Sequence, residues 1–84
     1  MMKVETIHVE LKRPLLIMKA PEGFVACGYI NIETCNRTGD ACALVNAGNF
    51  DDMKKALIVA VSNRAVELGI AVGDTGESAL LKMQ

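Results

Sequence analysis

The chain has 84 residues, with nine Lys and Arg against ten Asp and Glu, and 51% of its residues are hydrophobic. A net charge of −1 and only three aromatic residues argue against a nucleic-acid surface of basic stripes and stacked bases. No apolar run approaches the roughly 18 residues that cross a bilayer, and the first residues lack the apolar segment of a signal peptide. We therefore expect one domain over residues 1–84, in the cytoplasm, without nucleic-acid or membrane partners.

The apolar content is high for the size of the chain. A domain of 9.0 kDa buries only about 60–65% of the surface of its unfolded chain. Some apolar side chains must therefore stay at the surface, and we expect a homo-oligomer.

The first 30 residues predict three strands. Residues 4–11 alternate with period two, which predicts a strand half-buried through Ile7, Val9 and Leu11. The continuous apolar run at 15–18 predicts a strand buried on both faces. Pro21 and Gly23 occupy turn positions that predict a hairpin to a third strand over residues 24–30.

The middle of the chain predicts a short helix, a strand and a long helix. Asn31 can cap helical turns that end before Gly39, and residues 40–47 then predict a fourth strand. The periodicity of residues 52–68 predicts a helix with Asp51 as its cap and Gly69 just after its end. Val59 and Val66 lie on the outer side of that helix, where a second copy could cover them.

The last segment predicts a short helix over residues 76–83, capped by Thr75. The sum of these elements is an α+β fold: a two-layer sandwich with a mixed sheet of four or five strands, one long helix and one short helix. The loop Gly73-Asp74-Thr75-Gly76 precedes this helix and is best interpreted as an ordinary capped turn.

Residues 23–83 carry a family resemblance. The motifs are a strand ending in Cys27-Gly28, a strand that follows Gly39, a helix ending in Leu68-Gly69, and the string GIAVGDTGESAL from Gly69. They resemble the YunC-like family of small domains, which is known by its fold rather than by an activity. The resemblance implies an α+β domain and gives no reaction. Asp40, Val45 and Asn46 stand where basic residues are expected, which disfavours an anion-binding role.

The three cysteines are Cys27, Cys35 and Cys42, and we expect free thiols rather than a disulfide framework. Cys27 and Cys42 lie on predicted strands, where burial as small apolar side chains is expected. Their spacings lack the Cys-x2-Cys pattern of zinc sites. A tetrahedral zinc site would need all three thiolates and His8 together, so we expect no metal and no cofactor.

Two neighbouring segments are the candidate site. Cys27 precedes Gly28, which permits close backbone approach, and a thiol at the end of a strand can act as a nucleophile if a base or cation activates it. The loop from Asn46 to Asn49 follows the fourth strand and precedes a helix, a position where ligands often bind in α/β layers. The candidate ligand-binding residues are Gly28, Asn46, Gly48 and Asn49.

Two functions remain open on these residues. The favoured hypothesis is an oligomeric binding or interaction module with a small-molecule ligand. The alternative is a small thiol-dependent enzyme or redox protein with Cys27 as its catalytic residue, and the sequence does not decide whether the protein is an enzyme.

Overall fold

The computed structural model describes residues 2–84 and divides them into short elements. In chain order these are β1 (Glu5–Val9), β2 (Leu15–Ala20), β3 (Gly23–Ala26), α1 (Ile32–Thr38), β4 (Cys42–Leu44), α2 (Phe50–Lys55), β5 (Ala60–Val61), α3 (Asn63–Glu67) and α4 (Gly76–Lys82). Within this part of the chain, no helix has both the length and the apolar character that crossing a bilayer requires.

The strands form one mixed sheet in the order β1-β2-β3-β4-β5. β3 and β4 are parallel, and the other neighbours are antiparallel. Ala20 lies opposite Gly23, so the predicted hairpin at Pro21 is present. The α+β class and the mixed sheet are therefore confirmed.

The sheet buries one face more fully than the other. In β2, Leu16, Met18 and Ala20 are buried in the core, while Ile17 is half-buried and Lys19 exposed. The prediction that this strand is buried on both faces is therefore wrong, because its side chains alternate between a covered and an open face. β1 was expected to be half-buried, yet each of its residues is exposed, since β1 is an edge strand.

The predicted long helix over residues 52–68 is also wrong. This segment contains the end of α2, then β5 and α3, and α2 is capped by Asn49 rather than Asp51. Val59 N donates to Leu44 O at 2.8 Å and Ser62 N donates to Cys42 O at 3.0 Å, so the segment continues the sheet beside β4. Pairing with an otherwise open strand competes successfully with helix formation in a stretch rich in β-branched residues.

The two other predicted helices are present, with their predicted caps. The Asn31 side chain accepts a hydrogen bond from Glu33 N at 2.7 Å, and α1 ends at Gly39, whose φ of 83° suits glycine. Thr75 Oγ1 accepts from Ser78 N at 3.1 Å at the start of α4. The core lies between the sheet and α2, α3 and α4, and its largest fully buried side chains include Leu16, Met18, Met53, Ile58, Ile70, Leu80 and Met83.

Candidate functional site

A cleft opens at the edge of the sheet where β3 and β4 end. Parallel strands place their carboxyl ends at the same edge, and β2, antiparallel to β3, begins there. The cleft has a volume of about 690 Å³. Its lining comprises Arg13, Pro14, Cys27, Gly28, Tyr29, Val45, Asn46, Ala47 and Gly48.

Cys27 lies where β3 leaves the sheet. Its backbone N–H donates to Leu16 O at 3.1 Å, but its carbonyl accepts from Ile30 N in a turn. Leu16 N therefore donates to Cys27 Sγ, at 3.4 Å, instead of to a backbone oxygen of β3. The side chain is held in place by this bond and is 6% exposed at the wall of the cleft.

Three polar side chains reach the cleft from three different segments. Arg13 comes from the connection between β1 and β2, Tyr29 from the turn after β3, and Asn46 from the segment after β4. Within residues 2–84, none of these side chains makes a hydrogen bond or ion pair, and the lining contains no Asp or Glu. The cleft therefore carries one positive charge and free hydrogen-bonding groups.

The structure brings together most of the residues predicted for the site. Cys27, Gly28, Asn46 and Gly48 all line the cleft. Asn49 does not: its Oδ1 accepts from Asp52 N at 2.8 Å, and its side chain caps α2.

Sequence reasoning missed Arg13 and Tyr29. No local sequence pattern marks either residue, and the position of Arg13 beside Cys27 depends on the strand order. The signal that could have identified it is the hairpin itself, since the connection from β1 to an antiparallel β2 must lie at the edge where β3 ends.

The remaining cysteines and His8 lie away from the cleft. Cys35 and Cys42 form a disulfide between α1 and β4, with their Cα atoms 6.6 Å apart, so the expectation of three free thiols is wrong. Residues separated by seven positions meet because the chain turns back at Gly39. Both cysteines are buried, as is Cys27, which is the free thiol of the described chain.

His8 makes its contacts on the sheet edge. Its Nε2 lies 3.2 Å from Glu10 Oε2, and its ring meets Phe50 edge-on, with centroids 6.3 Å apart. The four residues weighed as zinc ligands are therefore not assembled. From Met2 to Gln84, no group of three or more His, Cys, Asp or Glu side chains is arranged to hold a metal ion.

In the loop before α4, the Asp74 carboxylate makes a backbone hydrogen bond and an ion pair. Ala71 N donates to Asp74 Oδ2 at 3.0 Å, and Lys82 Nζ lies 3.2 Å from the same oxygen. The backbone donor of Ala71 first, and the Lys82 ammonium second, hold the pKa of the Asp74 carboxyl below its ordinary value. The loop is therefore a capped turn that these contacts hold in place.

Comparison with known proteins places the fold and leaves the chemistry open. A family model described as "Domain of unknown function (DUF1805)" matches residues 26–83. The chain is also similar to a crystal structure of a protein of unknown function, TA1206 from Thermoplasma acidophilum, with a TM-score of 0.84 and 31% sequence identity. That similarity covers 100% of this chain and 94% of the other. No curated protein matches. Cys27 and Asn46 fall inside the matched family region, and Arg13 falls outside it.

Proposed function

Because the chain belongs to the DUF1805 family of domains of unknown function, we propose its function from the cleft: the protein binds a small molecule that carries an anionic group. One observation carries this proposal, namely that Arg13 faces the cleft without an acidic side chain among the described lining residues. An unpaired cation beside free hydrogen-bonding groups favours a negatively charged ligand.

The chemistry of the lining indicates how such a ligand is held. The Arg13 guanidinium presents a planar set of N–H donors that matches a carboxylate or a phosphate. The Tyr29 hydroxyl and the Asn46 amide supply donors and acceptors for the rest of the ligand. Gly28 and Gly48 let the ligand approach the backbone closely. The fourth strand lacks basic residues, but Arg13 supplies the cation from another element.

A titration with inorganic phosphate, followed by amide NMR shifts, tests this proposal. We expect saturable shifts at Gly28 and Gly48, and Arg13→Ala should weaken binding at least about tenfold, because a hydrogen bond to a charged group contributes about 1.5–3 kcal/mol. Arg37→Ala is the matched control, since Arg37 is exposed on α1 and its loss changes the net charge equally. Equal affinity of the Arg13→Ala variant and the wild type would overturn the proposal.

Thiol chemistry at Cys27 is the second candidate function. It is favoured by the position of Sγ at the wall of the same cleft as Arg13, although His8 is not available there as a base. In this hypothesis the cation positions an electrophilic, anionic substrate and the Cys27 thiolate attacks it.

Alkylation with iodoacetamide near neutral pH separates the two functions. If Cys27 is catalytic, it should react in the folded protein faster than free cysteine does, with sulfur displacing iodide. The Cys27→Ser variant gives the background, because Cys35 and Cys42 are joined in a disulfide. Modification only after unfolding leaves Cys27 as a wall residue and rejects the catalytic role.

Several finer expectations stay predictions. They are the cytoplasmic location, the single domain over residues 1–84, the YunC-like label and self-association. Val59 and Val66 are 53% and 57% exposed, but Val59 lies just before β5 and Val66 lies on α3, so they do not share one helix face. An oligomer would therefore have to form through a surface other than the outer side of the helix predicted over residues 52–68.

A further inference from the structure

The open face of the sheet carries an ordered strip of side chains. The register pairs Glu5 with Lys19, Ile7 with Ile17 and Val9 with Leu15. Directly paired residues of antiparallel strands point to the same face, and the alternate residues Leu16 and Met18 point into the core. The six paired residues therefore form one surface on the opposite face, here called the outer strip: Glu5, Ile7, Val9, Leu15, Ile17 and Lys19.

Helix α1 covers this side of the sheet only farther along. Lys19 lies opposite Phe24 and Phe24 lies beside Cys42, so Cys42 shares the face of the outer strip. Its disulfide to Cys35 places α1 on that side over β4. Over β1 and β2 the face is open: Ile7 is 37% and Val9 43% exposed, and Leu15 and Ile17 are only half-buried.

The outer strip is complementary to itself. A two-fold axis that runs parallel to the strands, between β1 and β2, exchanges each residue with its cross-strand partner. Glu5 of one copy then lies over Lys19 of the other, Ile7 over Ile17, and Val9 over Leu15. Glu5 and Lys19 form no ion pair inside the described chain, so both charges are available for this contact.

We propose that the outer strip binds a second copy of this chain, as a two-fold symmetric pair of sheets packed face to face. The apolar centre supplies the buried area, and the two Glu5–Lys19 pairs at one end set the orientation. A two-fold axis across the strands would place these charges over Val9 and Leu15 instead, which costs desolvation without a partner. The surface is independent of the cleft.

Sedimentation of the full chain across micromolar to millimolar concentrations tests the association. The wild type should dimerise and Ile7→Asp should remain monomeric, because each copy would bury an unpaired carboxylate. Val66→Asp is the matched control, since Val66 is 57% exposed and outside the outer strip, and it should dimerise like the wild type. A monomeric wild type throughout the range, or dissociation by Val66→Asp rather than by Ile7→Asp, rejects the proposal.

A charge exchange tests the orientation. Lys19→Glu should raise the dimer dissociation constant about tenfold by setting two Glu pairs against each other, and the double variant Glu5→Lys with Lys19→Glu should restore it. Joining of two β1 edges would not depend on Lys19, so an unchanged Lys19→Glu dimer overturns the face-to-face geometry. Circular dichroism confirms that each variant is folded, and Arg13→Ala should leave the dimer intact.

Discussion

Asp74 joins a loop to a helix through a single carboxylate. One of its oxygens accepts both the Ala71 N–H and a contact from the Lys82 ammonium, and Lys82 also donates to Gly69 O at 2.8 Å. The loop from Gly69 to Asp74 is therefore fastened to the last turn of α4. These bonds favour the charged form of Asp74, which is why its pKa is lowered.

We expect this carboxylate to make stability depend on acid. The folded pKa of Asp74 lies below its unfolded value, so its contribution is present above the unfolded pKa of about 4 and is lost as the pH falls through the folded pKa. The difference in urea midpoint between the wild type and Asp74→Asn should thus shrink as the pH falls from 6 to below 3. Lys82→Met should keep most of the pH dependence, because Ala71 is the larger cause. A difference that stays constant with pH contradicts this assignment.

Ser62 also makes several hydrogen bonds, and they explain why β5 ends and α3 begins at this residue. Its buried hydroxyl donates to Asp40 O at 2.8 Å and accepts from Cys42 N at 2.9 Å and Ala65 N at 3.3 Å. The same side chain closes β5 against β4 and caps α3. A serine in the middle of an apolar helical pattern is therefore a sign that a new helix begins there.

At the scale of elements, the segment from Asp52 to Leu68 shows where periodicity misleads. Leu57, Ile58, Val61, Ala65 and Leu68 fit one face of a long helix, but the same residues also fit two short helices separated by a strand. The outcome is decided by β4, whose outer edge would otherwise have unpaired backbone groups. Local sequence does not contain that requirement, whereas α1 and α4, which are fixed by their own caps, were predictable.

The disulfide links α1 to β4, and its removal should loosen the crossover between the parallel strands. Closing a loop of this length is expected to stabilise the fold by about 2–3 kcal/mol. Adding a reductant should therefore lower the free energy of unfolding of the wild type by about that amount. The double variant Cys35→Ser with Cys42→Ser should not respond.

The thiol count gives an independent check on this link. Unfolded without reductant, the wild type should take up one equivalent of alkylating reagent, at Cys27, and three after reduction. Three reactive cysteines in the unreduced protein would show that the bond is absent, and the predicted loss of stability on reduction would then have no basis.

For the whole molecule, size and composition predict the total accessible surface well, but they do not predict where the exposed apolar residues lie. The accessible surface of the described chain is 5003 Å², close to the value of about 4,900 Å² expected for a compact monomer of this mass. The core is therefore of ordinary size and the apolar excess lies outside it. That excess was assigned to Val59 and Val66, whereas the register shows an ordered strip on β1 and β2.

The residues of the candidate site were also predictable only where a local sequence pattern marks them. Cys27, Gly28, Asn46 and Gly48 lie next to strand ends that local patterns identify, so they could be predicted. Arg13 enters the cleft only because β2 is placed between β1 and β3, and strand order is a property of the assembled sheet. The sign of the charge in the cleft therefore follows from the strand pairing and not from any local pattern around Arg13.

The two edge strands of the sheet differ in length, and this limits where a further strand can pair with the sheet. β5 has only two residues, and Ile58 just before it already exchanges backbone hydrogen bonds with Gly73 and Asp74. β1, with five exposed residues, is the edge at which another strand can pair. Addition of a further strand to this sheet is therefore directional, because β1 offers unpaired backbone groups along five residues and β5 is only two residues long.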